Sequence, residues 1–263
     1  MQALLAMNAP ALAAAGVHVP KTGRPLRLLR DSNAGHHNLA WELNRDPRFD
    51  PAAGTLQALL AELDAYKQPL AVLSSEDFEY LHCRPDALER LHEALLGIGY
   101  TPQIISYFRP RAEYARSLYV ELRKHGLAAT WNDYVQTILR DGEFRHGAWV
   151  FQFRYGRLLR AFAEQFGSHN VFARAYRRAA DPTDLLFDFM RIVADAGAAI
   201  APAELRLPGR LNQTVDAESV TGDDDARLTS GFSDDDDVLA RRFDVDLNRA
   251  YARRPRRVFG AVG

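Results

Sequence analysis

The sequence lacks several residues and patterns that mark common classes of protein. A single cysteine, Cys83, excludes an internal disulfide and a cysteine-rich metal site, and it is typical of a reducing compartment. We expect this lone thiol to be buried. The chain also has no apolar run close to the roughly 18 residues that a membrane-spanning helix requires. These absences predict a protein without disulfides or transmembrane segments.

An excess of charge of one sign is also lacking. The 33 lysine and arginine residues nearly cancel the 34 aspartate and glutamate residues, so the overall field gives no reason to expect nucleic acid or an anionic membrane as the main partner. The arginine-rich segment 253–257 could bind an anionic glycan or nucleic acid, but we interpret it as a solvated tail. Any anion-binding site is therefore expected to be local.

The first 16 residues are apolar and rich in alanine, a composition that could indicate a secretion signal. They contain no lysine or arginine, and Asn8 and Pro10 interrupt the apolar run. A helix that stops at Gly16 is the better interpretation. We therefore expect a cytoplasmic protein.

The chain has 47% hydrophobic residues, which is enough for a sizeable core. Short apolar runs alternate with longer helical patterns, and this alternation predicts an α/β fold built from parallel βαβ units. The predicted strands are 16–20, 70–75, 103–108 and 170–176. The predicted helices are 55–66, 86–97, 111–125, 131–139, 156–166 and 185–196.

The C-terminal part is more polar and carries two acidic runs. Neither run has the glycine and terminal glutamate of a calcium loop. We predict that residues 223–225 form a solvated loop and that residues 234–237 begin a helix, where carboxylates suit the helix dipole. The expected organisation is a domain of residues 1–215 followed by a polar, partly helical extension of residues 216–263.

The segment from Gln103 to Tyr119 is the most informative for function. A strand delivers Arg109 to its carboxyl end, the edge where α/β sheets bind ligands, and the next helix places Ser117 eight residues later. A guanidinium fork and a hydroxyl at this edge suit a phosphate. The spacing also permits a structural alternative, in which Arg109 pairs with Glu113 and Ser117 only packs.

The order of strand, Arg109, Ser117 and Tyr119 resembles the 3′-phosphate-binding segment of sulfotransferases. The segments 71–78, 151–166 and 167–172 are similar to blocks of bacterial, carbohydrate-type members of that family. The resemblance implies a three-layer, P-loop-like fold with a central, mainly parallel sheet. It also implies 3′-phosphoadenylyl sulfate as the sulfate donor.

In that family, an arginine and a serine hold the 3′-phosphate of the donor, which implies these roles for Arg109 and Ser117. The resemblance further implies that Tyr176 lies against the adenine, unless it is an ordinary strand-end tyrosine. Arg210 falls where the family closes over the 3′-phosphate. These four residues are the expected donor-binding set.

The chain departs from the family at its first strand and phosphate loop, which reads approximately Lys-Thr-Gly-Thr-Thr and grips the 5′-phosphosulfate. The segment 2–15 resembles the helix that follows this loop, without the strand and loop before it. Lys21-Thr22-Gly23 precedes Arg24-Pro25 rather than a helix start, so we predict a turn there. Without the loop we expect residues 1–263 to bind donor weakly and turn over slowly.

Transfer of a sulfuryl group to a hydroxyl also requires a base that takes the proton. His36 and His37 lie in a loop that enters a helix, and Glu76 follows a predicted strand. Each has a structural alternative: His36 or Asn38 as a helix cap, and Glu76 as a partner of a helix dipole. No spacing of histidines or carboxylates indicates a metal site.

The sequence therefore predicts sulfate transfer from 3′-phosphoadenylyl sulfate to a hydroxyl or amine of a small-molecule or carbohydrate acceptor. The alternative is a noncatalytic nucleotide- or glycan-binding protein, or a degenerate remnant, on the same fold.

Overall fold

A computed structural model describes residues 1–24, 35–176, 184–199, 205–206 and 222–247. The helices, in chain order, are α1 (Gln2–Met7), α2 (Ala9–Ala14), α3 (His37–Asn44), α4 (Leu56–Tyr66), α5 (Pro85–Gly97), α6 (Arg111–Lys124), α7 (Trp131–Asp141), α8 (Tyr155–Phe166), α9 (Asp184–Asp195), α10 (Gly222–Ser230) and α11 (Ser233–Phe243). The strands are β1 (Val17–His18), β2 (Leu70–Ala71), β3 (Ile104–Phe108), β4 (Glu143–His146), β5 (Trp149–Gln152) and β6 (Val171–Ala175). A 3₁₀ helix covers Glu76–Cys83.

The strands of the described chain form three two-stranded sheets. β1 pairs with β2 in parallel, and β3 pairs with β6 in parallel. β4 and β5 form an antiparallel hairpin, which the sequence analysis did not predict. Helices combined with small parallel sheets are compatible with the expected α/β class.

Successive side chains of each strand point to opposite faces, and in the two parallel sheets both faces are covered by helices. Ala71 and Ile104 pack on one face against apolar residues of α4, α5 and α8. Leu70 and Ile105 pack on the other face against α1, α2 and α9. Apolar side chains of helices therefore contact both faces of these strands.

A further core lies beside these two sheets and joins α6, α7, the β4–β5 hairpin and α10. Tyr134, Phe153 and Phe232 are fully buried in it. α11 contributes Leu239 to the core that α8 shares with the sheets. The helices of segment 216–263 therefore pack onto the same body as the rest of the described chain.

Three local predictions were wrong. The N-terminal helix is split into α1 and α2, because Pro10 near the start of α2 has no amide hydrogen with which to continue the first helix. Residues 223–225 form the first turn of α10 instead of a loop, where their carboxylates suit the helix dipole. Cys83 is exposed at the end of the 3₁₀ helix.

Arg210 and the arginine-rich segment 253–257 lie outside the described residues. In the part of the chain that is described, no helix is long and apolar enough to cross a membrane.

Candidate functional site

A large cleft separates the two parallel sheets. It has a volume of about 1570 Å³ and lies between residues 69–75, which contain β2, and residues 101–109, which contain β3. Both the turn after β2 and the end of β3 line it, so the carboxyl end of one strand from each parallel pair faces the same space. Ligands of α/β proteins bind at this edge.

Arg109, Ser117 and Tyr176 meet at the carboxyl end of β3. The Arg109 guanidinium donates a hydrogen bond to the Ser117 hydroxyl at 3.2 Å, and its central carbon lies 5.1 Å from the centroid of the Tyr176 ring. The backbone carbonyl of Arg109 accepts a hydrogen bond from Tyr155 at 3.1 Å. The structure therefore brings together three residues that sequence reasoning placed at one ligand.

The structural alternative, a pairing of Arg109 with Glu113, is not formed in the described part of the chain. Among the ion pairs of the described residues, none involves Arg109, whereas Arg111 donates to both Asp235 and Asp236. The Arg111 side chain is also buried between the rings of Tyr155 and Phe232. Of these two nearby arginines, Arg111 therefore stabilises the fold. Arg109 lines the cleft, and no carboxylate of the described chain neutralises its charge.

His36 is a structural histidine. Its Nδ1 accepts the Ser74 amide at 3.0 Å, which leaves the proton on Nε2 to be donated to the Pro20 carbonyl at 3.0 Å. Burial, together with the charge of Arg24, lowers the pKa of His36 to about 4. The ring joins the chain after β1 to the chain after β2. With both nitrogens engaged and a low pKa, it is poorly suited to act as a base. Nor does its side chain cap α3.

His37 has the opposite arrangement. Its Nδ1 lies 3.2 Å from a carboxylate oxygen of Asp77 and 2.9 Å from the Ser75 hydroxyl. Trp41 donates its indole N–H to the same Asp77 oxygen at 2.6 Å. Because a carboxylate can only accept, Asp77 favours the tautomer with the proton on Nδ1 and the lone pair on Nε2.

The free nitrogen of His37 lies beside Glu76, a residue that lines the cleft. Nε2 is buried and has no hydrogen-bond partner in the described chain, and the nearest carboxylate oxygen, on Glu76, is 3.6 Å away. Glu76 is exposed and accepts a hydrogen bond from the Gln2 side chain at 2.6 Å. The structure therefore brings together two of the three predicted bases, His37 and Glu76. The third, His36, has a structural role.

Glu79 is a residue of this cleft that sequence reasoning missed. It lies on the 3₁₀ helix with its carboxylate 3.2 Å from the Tyr114 hydroxyl. Burial raises the pKa of Glu79 to about 7, although the hydrogen bond from Tyr114 opposes the shift. No motif marks it, but it lies three residues after Glu76, about one turn of a 3₁₀ helix.

The turn at Lys21-Thr22-Gly23 is present as predicted, and its amides are already occupied. The backbone amides of Lys21 and Thr22 donate to the Glu62 carboxylate at 2.9 Å each. His18 lies 2.9 Å from the same carboxylate. Burial of Glu62 raises its pKa, but these hydrogen bonds more than offset that and lower it to about 2. The turn therefore holds an internal anion, and in this state it has no free amides for a phosphate.

The described residues contain no group of three or more histidine, cysteine, aspartate and glutamate side chains that could hold a metal ion. The fold and the cleft define a protein with a mixed helix and parallel-sheet body and an arginine-centred site at a strand end. Comparisons of the chain with protein-family models, with curated proteins and with solved structures find no match.

Proposed function

We propose that the protein is a sulfotransferase-type protein that binds 3′-phosphoadenylyl sulfate and supports transfer of its sulfuryl group to a hydroxyl or amine of a small-molecule or carbohydrate acceptor. The observation that carries the proposal is the convergence of Arg109, Ser117 and Tyr176 at the end of β3. In this proposal the body has a three-layer, P-loop-like organisation, and the cleft between β2 and β3 holds the donor.

The 3′-phosphate would bind to Arg109 and Ser117. A guanidinium offers two parallel donors to a phosphate, and the serine hydroxyl adds a third. The Tyr176 ring lies beside them and offers an apolar face to the adenine. No carboxylate pairs with Arg109 in the described chain, so its charge is available to the anion.

His37 would take the proton of the acceptor. As the acceptor oxygen or nitrogen attacks sulfur, the bond between sulfur and the bridging phosphate oxygen breaks, adenosine 3′,5′-bisphosphate leaves, and the proton moves to His37 Nε2. Asp77 orients the ring and stabilises the imidazolium that results. Glu76, exposed at 3.6 Å from Nε2, then passes the proton to solvent.

In this proposal, turnover by residues 1–263 is expected to be low. The resemblance predicts a loop that grips the 5′-phosphosulfate, and the described residues provide no such loop, because the Lys21 turn holds Glu62. Three charge-assisted hydrogen bonds at about 1.5 to 3 kcal/mol each amount to about 5 to 9 kcal/mol of donor binding. That corresponds to roughly a thousandfold to a millionfold in affinity.

The test is a comparison of two nucleotides by isothermal titration calorimetry. We expect the protein to bind adenosine 3′,5′-bisphosphate more tightly than adenosine 5′-monophosphate, which lacks the 3′-phosphate. Arg109→Ala should remove this preference, with an affinity loss of about 100-fold for two charge-assisted hydrogen bonds. The matched control is Arg140→Ala, because Arg140 is exposed and, among the residues that the structure describes, pairs only with its neighbour Asp141. An unchanged preference in Arg109→Ala would refute the assignment.

A second candidate is a noncatalytic nucleotide- or glycan-binding protein on the same fold. The observation that favours it is the occupation of the Lys21 turn by Glu62. Transfer of labelled sulfate separates the two candidates: His37→Gln should abolish transfer by a catalyst and leave the affinity for adenosine 3′,5′-bisphosphate unchanged. Nucleotide binding without any transfer by the unaltered protein would instead favour the binding protein.

A further inference from the structure

A second, smaller groove lies between α8 and α11. It has a volume of about 360 Å³, which is within the range of pockets that bind small molecules. None of the residues that line it also lines the large cleft. They come from α8, from the 3₁₀ turn Ser168–Asn170 and from the end of α11, and they are Arg160, Ala163, Glu164, Ser168, Arg242 and Phe243.

The groove is separate from the proposed donor site. Ser168 precedes β6, and Tyr176 of the proposed donor site follows this five-residue strand. At about 3.3 Å per residue the strand spans roughly 16 Å. A small ligand held in the groove would therefore not reach Arg109.

Two arginines line the groove without a carboxylate partner. Arg160 and Arg242 are both exposed, and no ion pair of the described residues includes either of them. By contrast, Arg241, next to Arg242 in the sequence, pairs with Asp237 at 2.8 Å. Glu164 lines the same groove but is not within ion-pair distance of either guanidinium in the described chain. The groove therefore combines two positive charges with one negative charge, which gives it a net charge of +1.

Contacts between α8 and α11 hold these arginines in place without a ligand. The backbone amide of Gly156, on α8, donates to the two carboxylate oxygens of Asp235, on α11, at 3.1 and 3.0 Å. A Cβ at position 156 would lie 3.0 Å from a methyl carbon of Val238, so the two helices are in close contact at this glycine. Because the helices are fixed against each other, the groove needs little reorganisation to bind a ligand.

The donors of the groove match a sulfate ester. Two guanidinium groups and the Ser168 hydroxyl supply three separate sources of hydrogen bonds, and a sulfate ester has three terminal oxygens, whereas a carboxylate has two. A sulfate ester also carries a single negative charge, which the net charge of +1 balances. A phosphate ester carries about −1.5 to −2 at pH 7, so Glu164 would repel it more strongly.

The remaining walls of the groove suit a sugar. The Glu164 carboxylate can only accept hydrogen bonds, and sugar hydroxyls are donors that it could accept from. Phe243 is half-buried, and its ring forms an apolar wall. The face of an aromatic ring is negatively polarised, so it attracts the C–H bonds of a sugar ring.

We propose that the groove between α8 and α11 binds a saccharide that carries a single sulfate ester. The sulfate contacts the two arginines and Ser168, and a neighbouring hydroxyl of the sugar donates to Glu164. This proposal does not rest on the proposed sulfate transfer, because it uses none of the residues of the large cleft.

The test is an NMR titration of the ¹⁵N-labelled chain with glucose 6-sulfate. We expect saturable shifts at the backbone amides of Ser168 and Phe243. Arg160→Ala and Arg242→Ala should each weaken binding about tenfold, because each removes a charge-assisted hydrogen bond. Both side chains are exposed, so these variants should keep the Tm of the parent. The matched control is Arg241→Ala, which should leave the affinity unchanged because Arg241 is already paired.

Glucose, sodium sulfate and glucose 6-phosphate test the parts of the ligand, and each should bind the parent about tenfold more weakly than glucose 6-sulfate. Glu164→Gln should reduce the preference for the sulfate ester over the phosphate ester, because it removes the negative charge that repels phosphate.

Three results would overturn the proposal. The first is an affinity for glucose 6-sulfate that is unchanged in both Arg160→Ala and Arg242→Ala. The second is binding of glucose or of sodium sulfate, or of glucose 6-phosphate, as tightly as glucose 6-sulfate. The third is loss of binding in Arg109→Ala, which would place the sugar in the large cleft. Retained binding in Arg109→Ala would support the groove whether or not the protein transfers sulfate.

Discussion

Acidification should destabilise the protein through His36, whose pKa in the folded state is about 4 against about 6.5 when unfolded. A base whose pKa is lowered on folding contributes stability that is fully present above the unfolded value. This stability is lost as the pH falls through the window from about 6.5 to about 4. The physical reason is that burial disfavours the charged ring, and the positive charge of Arg24 adds to this effect.

The magnitude follows from linkage between proton binding and folding. With these two pKa values, His36 should lower the free energy of unfolding by about 2 kcal/mol at pH 5 and by about 3 kcal/mol at pH 4, relative to pH 7 and above. Urea denaturation at each pH, followed by circular dichroism, measures this free energy. The effect of His36 is isolated by subtracting the curve of His36→Gln, which cannot titrate.

The comparison of the parent with His36→Gln also tests the structural role of this histidine. His36→Gln should be less stable than the parent at pH 7, because it loses one or both hydrogen bonds, and the difference should shrink by about 2 kcal/mol at pH 5. A His36→Gln difference that is independent of pH would refute the structural role of this histidine.

Three further outcomes are expected from urea denaturation. Glu79→Gln should be more stable than the parent above pH 7 by about 1 to 3 kcal/mol, and this gain should vanish below about pH 4.5. The reason is that folding raises the pKa of Glu79, so the parent protein loses stability as the pH rises through about 7. Equal stability of the two proteins at pH 8 would contradict this. Arg111→Ala should cost about 3 to 5 kcal/mol, because it leaves the buried carboxylate of Asp235 without its partner; a cost below about 1 kcal/mol would show that the pair is not buried. Gly54→Ala should destabilise by at least about 1 kcal/mol, because its φ is +100° and a Cβ would lie 2.5 Å from the Thr22 methyl carbon, and an unchanged Tm would count against this backbone geometry.

The sequence predicted the described helices of the core closely, because their apolar residues recur with the helical period. α4 begins after Thr55, whose hydroxyl accepts the Ala58 amide, and α6 and α8 lie within one or two residues of their predicted bounds. Strand positions were also predicted, but β2 has only two residues where six were expected. In the described chain β2 pairs only with Val17 and His18 of β1, so its length is set by a distant partner rather than by the segment itself.

Local sequence could bring Arg109 and Ser117 to one place, because a strand end and a helix eight residues on fix both. It could not distinguish His36 from His37. These neighbours are alike in sequence, and their difference arises from partners far along the chain. The Ser74 backbone hydrogen-bonds to both the backbone and the ring of His36, whereas Asp77 orients the ring of His37. The tertiary fold decides which ring nitrogen stays free of a hydrogen bond, so no local sequence pattern could predict that it is Nε2 of His37.

The ion pair of Arg111 with Asp235 joins residues 124 positions apart, which has a consequence for synthesis on the ribosome. Domains form as the chain emerges from its N-terminus, and the carboxylates that neutralise Arg111 emerge only after nearly nine-tenths of the 263 residues. Until then the start of α6 carries an uncompensated guanidinium two residues after Arg109. The proposed anion site at Arg109 is therefore expected to mature late in translation, once α11 has arrived and its carboxylates pair with the neighbouring Arg111.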